Sequence, residues 1–277
     1  MGTVRRVLNR TIRAGTAALT VTTVVAACGQ APESNSGGST GGVPQPEELR
    51  VEVVDVLPHD PEAFTQGLEV VDDTLYEGTG LVGESTLRAG PLGGEPTTVV
   101  SLPEPLFGEG ITVVDDRIWQ LTWRDGVAIE RDRATLDELR RVDYEGEGWG
   151  LCHQHDHDRL VMSDGTATLT FRDPDDFSVV NTVEVTDTDG PVTDLNELEC
   201  VGEDVYANVW HTDDILRIDP DSGFVTARID ASGLLTPQEA ADADVLNGIA
   251  ALDEPDHFLV AGKLWPKMFT VRFVPTS

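Results

Sequence analysis

The chain has 277 residues, with 50 acidic against 19 basic side chains and a formal charge of -31. A surface that acidic repels phosphate backbones, which excludes nucleic acid as a partner. A composition of 39% hydrophobic and 25% charged residues likewise excludes a disordered acidic tail. Lys263 and Lys267 are the only lysines, so a role that needs an ammonium group has two candidates, four positions apart.

The chain opens with Arg5, Arg6, Arg10 and Arg13 in a segment free of acids, followed by an uncharged Ala/Val/Thr run over 14–27. That run is short for a membrane span and has the shape of a signal-peptide core. It ends Val25-Ala26-Ala27-Cys28, which resembles the lipobox of bacterial lipoproteins, small residues followed at once by a Cys whose thiol is acylated. The alternative is an ordinary signal peptide cut at an Ala-x-Ala-like site, with Cys28 incidental. Residues 28–48 are rich in Gly, Ser and Pro without apolar periodicity, and read as a flexible tether. The expected product is an extracytoplasmic monomer, lipid-anchored to a bacterial cell membrane through Cys28, with residues 49–277 as its folded domain.

From Leu49 onward, short Val/Leu/Ile runs alternate with Gly/Pro/Asp turns and no long amphipathic helix intervenes, a pattern that predicts an all-β domain. One short segment recurs. Gln66-Gly67-Leu68-Glu69, Glu109-Gly110-Ile111-Thr112, Trp149-Gly150-Leu151-Cys152, Asn196-Glu197-Leu198-Glu199 and Asn247-Gly248-Ile249-Ala250 stand 43, 40, 47 and 51 residues apart. Each leads through a turn into a second run, at Leu75-Tyr76, Ile118-Trp119, Leu160-Val161, Val205-Tyr206 and Phe258-Leu259. Some forty residues are the length of one four-stranded blade, so five copies predict a five-bladed β-propeller. Leu49 to Val56 alternates like a strand but precedes the first copy, and the last copy ends one strand short. The two are expected to pair, so that the N-terminal strand completes the final blade and closes the ring.

In that register the first strand of each unit lines the axis, and Gln66, Glu109, Trp149, Asn196 and Asn247 start it at one mouth. Four residues beyond the second-strand anchor stand Gly80, Trp123, Gly165, Trp210 and Lys263. Antiparallel hairpins return this second ring to the same mouth. Polar groups gathered there need partners when buried. They constitute either a functional site or an inert polar channel.

Seven strings in order resemble the plant-type and bacterial glutaminyl-peptide cyclotransferases. They are Phe64-Thr-Gln-Gly-Leu-Glu69, Phe107-Gly-Glu-Gly-Ile-Thr112, Gln120-Leu-Thr-Trp123, Gly146-Glu-Gly-Trp-Gly-Leu151, Leu195-Asn-Glu-Leu-Glu199, Ala207-Asn-Val-Trp210 and Gly262-Lys-Leu-Trp-Pro266. The resemblance implies a five-bladed propeller that converts the N-terminal glutamine of peptides or proteins to pyroglutamate and releases ammonia, without a catalytic metal or other cofactor. It places the active site on Phe64, Gln66, Glu109, Trp123, Trp149, Asn196, Trp210 and Lys263. Seven of those eight already stand in the two rings. Glu109 is the expected general acid/base, Lys263, Asn196 and Gln66 the expected donors to substrate carbonyl oxygens, and the aromatic residues the apolar walls.

Other constellations point elsewhere. Cys152-His153-Gln-His155-Asp-His157-Asp158 carries three imidazoles at alternate positions, which read as a solvated hairpin loop or as a metal site. Asp187-Thr-Asp-Gly190, with Asp194 nearby, echoes a calcium loop but lacks the remaining ligand spacing; it reads as a solvated acidic turn, with a structural calcium as the alternative. Cys152 and Cys200 follow the inner-strand motif in neighbouring units, either as a disulfide or as two buried thiols. Two competing functions remain open: a surface-displayed propeller that binds peptides without catalysis, and a metal-dependent propeller hydrolase or lactonase with Glu109, Asn196 and Asn247 as axial ligands.

Overall fold

The computed structural model describes residues 45–276. The signal-like segment, Cys28 and most of the tether lie outside the described residues. Strand β1 (Glu47–Pro58) begins two residues inside the expected tether. It is followed by a sheet of β2 (Thr65–Val71), β3 (Thr74–Thr79), β4 (Thr86–Pro91) and β5 (Thr98–Ser101). A second sheet holds β6 (Gly108–Val114), β7 (Arg117–Thr122), β8 (Val127–Asp132) and β9 (Glu138–Asp143). A third holds β10 (Leu151–Gln154), β11 (Arg159–Met162), β12 (Thr168–Arg172) and β13 (Val179–Glu184). After a small ribbon of β14 (Thr186–Asp187) and β15 (Gly190–Pro191) come β16 (Leu195–Val201), β17 (Asp204–Val209), β18 (Asp214–Ile218) and β19 (Val225–Asp230). The chain ends in β20 (Leu246–Ala251), β21 (Phe258–Gly262) and β22 (Lys267–Pro275).

The all-β expectation holds. Within each four-stranded group, strands consecutive in sequence pair antiparallel, and acidic residues shape several of the turns between them. Between β2 and β3, for example, Asp72 and Asp73 both take positive φ (52° and 60°), the conformation of a two-residue hairpin loop, which Asp tolerates better than most residues. Strand β1 pairs antiparallel with β22 from Leu49↔Pro275 to Pro58↔Lys267, so the N-terminal strand does complete the last four-stranded group. Its first residues, Glu47 to Arg50, also pair in parallel with β19. This second pairing, which the sequence does not advertise, joins two four-stranded groups into one eight-stranded sheet of order β16-β17-β18-β19-β1-β22-β21-β20.

Burial falls from the first strand of each group to the last. All seven residues of β6 are buried, whereas β9 is almost wholly exposed. The cores lie between neighbouring groups: Tyr76 and Leu87 pack on Ile111 and Ile118, Trp119 and Leu121 on Leu151 and Phe177, and Leu68 on Leu259 and Met268. At ~25 cal/mol per Å2 of apolar surface, these face-to-face layers supply the main stabilisation. The inner strands touch in a closed sequence, β2 to β6, β6 to β10, β10 to β16, β16 to β20 and β20 back to β2. They approach so closely that a Cβ on Gly110 would lie 2.6 Å from the carbonyl oxygen of Trp149, and the Gly110 amide donates to that same oxygen at 2.8 Å.

Candidate active site

Four inner hairpins share one irregularity. Each ladder slips by a residue on the inner strand, between Thr65 and Gly67, Gly108 and Ile111, Leu195 and Leu198, and Leu246 and Ile249. These are β-bulges, which bend a strand and re-aim its side chains. Gln66, Glu109, Asn196 and Asn247 all fall inside them. The hairpin register already offsets the two rings by one residue and the bulge adds a second, so the second ring opposes not the first ring but the residue two positions before it. Amides of Gly80, Trp123, Trp210 and Lys263 donate to the carbonyls of Phe64, Phe107, Asp194 and Val245. Both rings still reach one mouth.

There, Phe64, Gln66, Glu109, Trp123, Trp149, Asn196, Trp210 and Lys263 line a single cavity of about 270 Å3, together with Phe107, His211 and Asp244. Aromatic rings form most of the wall. Phe64 meets Phe107 edge-on at 6.3 Å between centroids, Phe107 meets Trp123 at 5.5 Å, and Trp149 meets Trp210 edge-on at 5.4 Å. Lys263 Nζ lies 5.0 Å from the Phe64 centroid, within cation–π range. Gly165, at φ +79°, makes room for the Trp149 indole, which a Cβ would approach to 2.6 Å.

The polar groups sit at the bottom of this wall. Glu109 is 5% exposed and accepts a hydrogen bond from Gln66 Nε2 at 3.2 Å. Burial pushes its carboxyl well above the usual range, against the pull of Lys263 and with a further push from the Glu147 charge. Lys263, also 5% exposed, is moved the other way: burial lowers its pKa, against the attraction of Glu109 and Asp244. Asn196 Oδ1 is buried with no hydrogen-bond partner, an acceptor that a bound donor would satisfy. A carboxyl that holds its proton unusually high, beside an ammonium that holds its proton less firmly, can exchange protons with a bound amine inside a shielded site.

Asn247 departs from the ring. It is fully buried behind the cavity, where its Nδ2 donates to Thr65 O at 3.0 Å and lies 3.4 Å from Gln66 Oε1. Glu109, Asn196 and Asn247 therefore do not open together onto the cavity as axial metal ligands would. Phe107, Asp244 and His211 were not singled out by the sequence. Phe107 stands two residues before Glu109, as Phe64 stands two before Gln66; that row of the repeat was the available signal. His211 follows Trp210 and stacks on it at 3.9 Å, and Asp244 adjoins Val245, the partner of Lys263.

The remaining constellations resolve locally. The histidine segment is not one solvated loop: Cys152, His153 and Gln154 belong to β10, and the turn is a short 3-10 helix at His155–His157. His153 is buried with both ring nitrogens unpartnered, while His157 turns away to Glu203 at 2.8 Å. Among the described residues no group of three His, Cys, Asp or Glu side chains is arranged to hold a metal ion. Asp187 and Gly190 close the β14–β15 hairpin, and the Asp187 carboxylate faces Arg228 at 3.2 Å. Cys152 and Cys200 are joined as a disulfide between β10 and β16, with Cα atoms 5.4 Å apart.

The inner strands of this all-β chain carry a carboxyl, an ammonium and an amide into one aromatic-walled cavity. The glutamine cyclotransferase family model matches residues 19–273, and the chain belongs to that family. It is 37% identical to the glutaminyl-peptide cyclotransferase of Arabidopsis thaliana over 233 residues, which span 82% of this chain and 72% of that protein. The crystal structure of Myxococcus xanthus glutaminyl cyclase is similar with a TM-score of 0.76 at 38% identity, covering 84% of this chain and 100% of that one. The family expected from the order of the motifs is the family found.

Proposed function

We propose that the protein is a glutaminyl-peptide cyclotransferase built on a five-bladed β-propeller, which converts the N-terminal glutamine of peptides or proteins to pyroglutamate and releases ammonia. The blade count rests on the five inner strands and their closed sequence of contacts. One observation carries the activity: Glu109 and Lys263, each 5% exposed, face one aromatic cavity in a chain of this family.

The substrate supplies its own nucleophile, so the enzyme's work is orientation and proton transfer. The aromatic walls fold the glutamine side chain back toward its α-nitrogen. Glu109 as carboxylate accepts a proton from the α-ammonium, leaving a free amine. The amine nitrogen attacks the side-chain carboxamide carbon (Cδ), the new C–N bond forms, and the carbonyl electron pair moves onto oxygen, where Lys263 and Gln66 donate hydrogen bonds. Collapse restores the carbonyl as the old C–N bond breaks, with Glu109 delivering its proton to the departing nitrogen. Glu109 then takes the surplus proton from the ring nitrogen, and ammonia carries it away as ammonium. Asn196 Oδ1 accepts from the substrate's amine. No step calls for a metal-activated water or a cofactor.

A peptide-binding propeller without catalysis would have no use for a buried carboxyl and ammonium in one cavity, since each costs desolvation. The leader that ends at Cys28 supports an extracytoplasmic, lipid-anchored location, and mass spectrometry of the mature N-terminus would reveal its acyl group. The direct test of activity is ammonia release from a Gln-initiated dipeptide by the purified protein, with and without chelator. Equal release in both arms supports this mechanism. No release from wild type, or release abolished by the chelator, rejects it.

A further inference from the structure

Glu147 holds two of the three cavity indoles in place, although it does not line the cavity. Its Oε2 accepts from Trp123 Nε1 at 2.8 Å and from Trp149 Nε1 at 3.0 Å. Its Oε1 accepts from Arg124 Nε at 2.8 Å, and the Arg124 guanidinium lies 3.8 Å from the Trp123 ring centroid. An indole has a single N–H, so anchoring it fixes the rotation of the whole ring. Trp123 follows β7 and Trp149 precedes β10, so one carboxylate joins walls that belong to two neighbouring sheets. The repeat explains why a residue stands there. Glu147 is two positions before Trp149, the place Phe64 and Phe107 occupy before Gln66 and Glu109. In those two units the row contributes a ring to the wall; in this unit it contributes an anion that orients the rings on either side.

That anion also acts on Glu109. Burial opposes its ionisation, but hydrogen bonds from Trp149, Arg124 and Trp123 outweigh burial and hold its carboxyl below the ordinary range. It is therefore charged at working pH and adds to the upward push on Glu109. Lys263 faces Glu109 with the opposite sign, and the Tyr144 hydroxyl is the other titratable group that feels it.

We propose that Glu147 is a positioning residue for cyclisation: one of its carboxylate oxygens holds both indole N–H groups and so fixes the orientation of Trp123 and Trp149 against the folded-back substrate. The proposal rests on the cavity being a cyclase site.

The test compares wild type with Glu147→Ala and Glu147→Gln, using a Gln-initiated dipeptide across pH 5–9, with near-ultraviolet circular dichroism to follow the indoles. Glu147→Ala should lower kcat about 100-fold with KM changed less than about threefold, because lost orientation falls on the reacting geometry, and should alter the tryptophan signal. Glu147→Gln keeps an oxygen acceptor for the indoles but removes the charge. It should retain most of kcat and the tryptophan signal, while the acid limb of kcat/KM moves to lower pH. A residue that merely holds the fold together would leave that limb where it is. An active wild type whose Ala variant keeps kcat within threefold, or whose Gln variant loses as much kcat as the Ala variant, overturns the proposal. If Glu147→Ala fails to fold, the Gln variant decides alone: it must keep most of kcat and the wild-type tryptophan signal. A wild type that releases no ammonia rejects the cyclase reading itself, and this proposal with it.

Discussion

Gln66 Nε2 donates to Glu109 Oε1 across 3.2 Å, which ties the bulge of one inner strand to the bulge of the next. It is the only hydrogen bond to that carboxyl among the described residues. The carboxyl that carries the proton is thus held at one oxygen, and its other oxygen is left for a ligand.

From this arrangement, Glu109→Gln should fold normally and lose nearly all turnover, by roughly 10^3-fold or more, since an amide accepts no proton. In wild type, the acid limb of kcat/KM should lie above the ordinary carboxylate range of about 4.3, because burial raises the Glu109 pKa. Steady-state ammonia assays over a pH series measure both. An acid limb at the ordinary position would remove Glu109 from the mechanism.

Lys263→Ala should reduce kcat by about 10^2–10^3-fold, the usual loss for one oxyanion donor, with circular dichroism unchanged. Lys263→Arg should restore little, because a planar guanidinium does not fit the space of an ammonium 5.0 Å from the Phe64 ring. A twofold loss on removal would make Lys263 a structural residue.

Three further glutamates brace the inner strands. Glu69 accepts from Val113 N at 2.7 Å, Glu197 from Ile249 N at 2.8 Å and Leu68 N at 3.2 Å, and Glu199 from Ala251 N at 3.1 Å. Burial raises the carboxyl of Glu69 to about 7 and pushes those of Glu197 and Glu199 well above the ordinary range. A raised folded-state pKa means stability that is complete below the unfolded carboxylate range and is lost as pH climbs through the folded value. The melting temperature should therefore fall between about pH 5 and 8. Glu199→Gln, which keeps the acceptor for Ala251, should raise it by about 3 °C or more at pH 8 and leave it unchanged at pH 4. Calorimetry at the two pH values decides, and a destabilised variant at pH 8 would contradict the sign.

The Cys152–Cys200 bond closes a separation of 48 residues. Intact-mass measurement after alkylation without reductant should find neither thiol modified. Cys200→Ser should cost about 3–4 kcal/mol in the chain-entropy account of cross-linking. Two alkylated thiols in the native protein would show that the pair is reduced.

Much of this molecule is legible in its residues because a repeat repeats its physics. A Gly that lets backbones crowd, a polar residue just before it and an aromatic across the hairpin recur often enough to place Gln66, Glu109, Asn196, Trp210 and Lys263 at one mouth. The bulges are not legible. In an unbroken ladder running on from Ile111↔Gln120, Trp123 would face Gly108; the one-residue slip, which belongs to the backbone and leaves no preferred side chain behind, moves its partner to Phe107. Asn247 matches the motif yet faces inward, because its amide finds Thr65 and Gln66 behind the wall. His153 reads as polar loop but lies in a strand, since the turn begins two residues later than hydrophilicity implies. Glu147 lies within the motif Gly146–Leu151, but its importance rests on two indole N–H groups that only three dimensions bring to one oxygen.

The pairing of β1 with β22 has a consequence for biosynthesis. Strand β1 finds its antiparallel neighbour β22 more than two hundred residues further along the chain. Until β22 arrives, four-stranded units can form locally, but most of β1 lacks its antiparallel partner and the circle stays open. Closure is therefore a late, slow, long-range event. A chain without β22 would leave β1 unpaired along most of its length, so the loss would reach both ends of the folded segment at once.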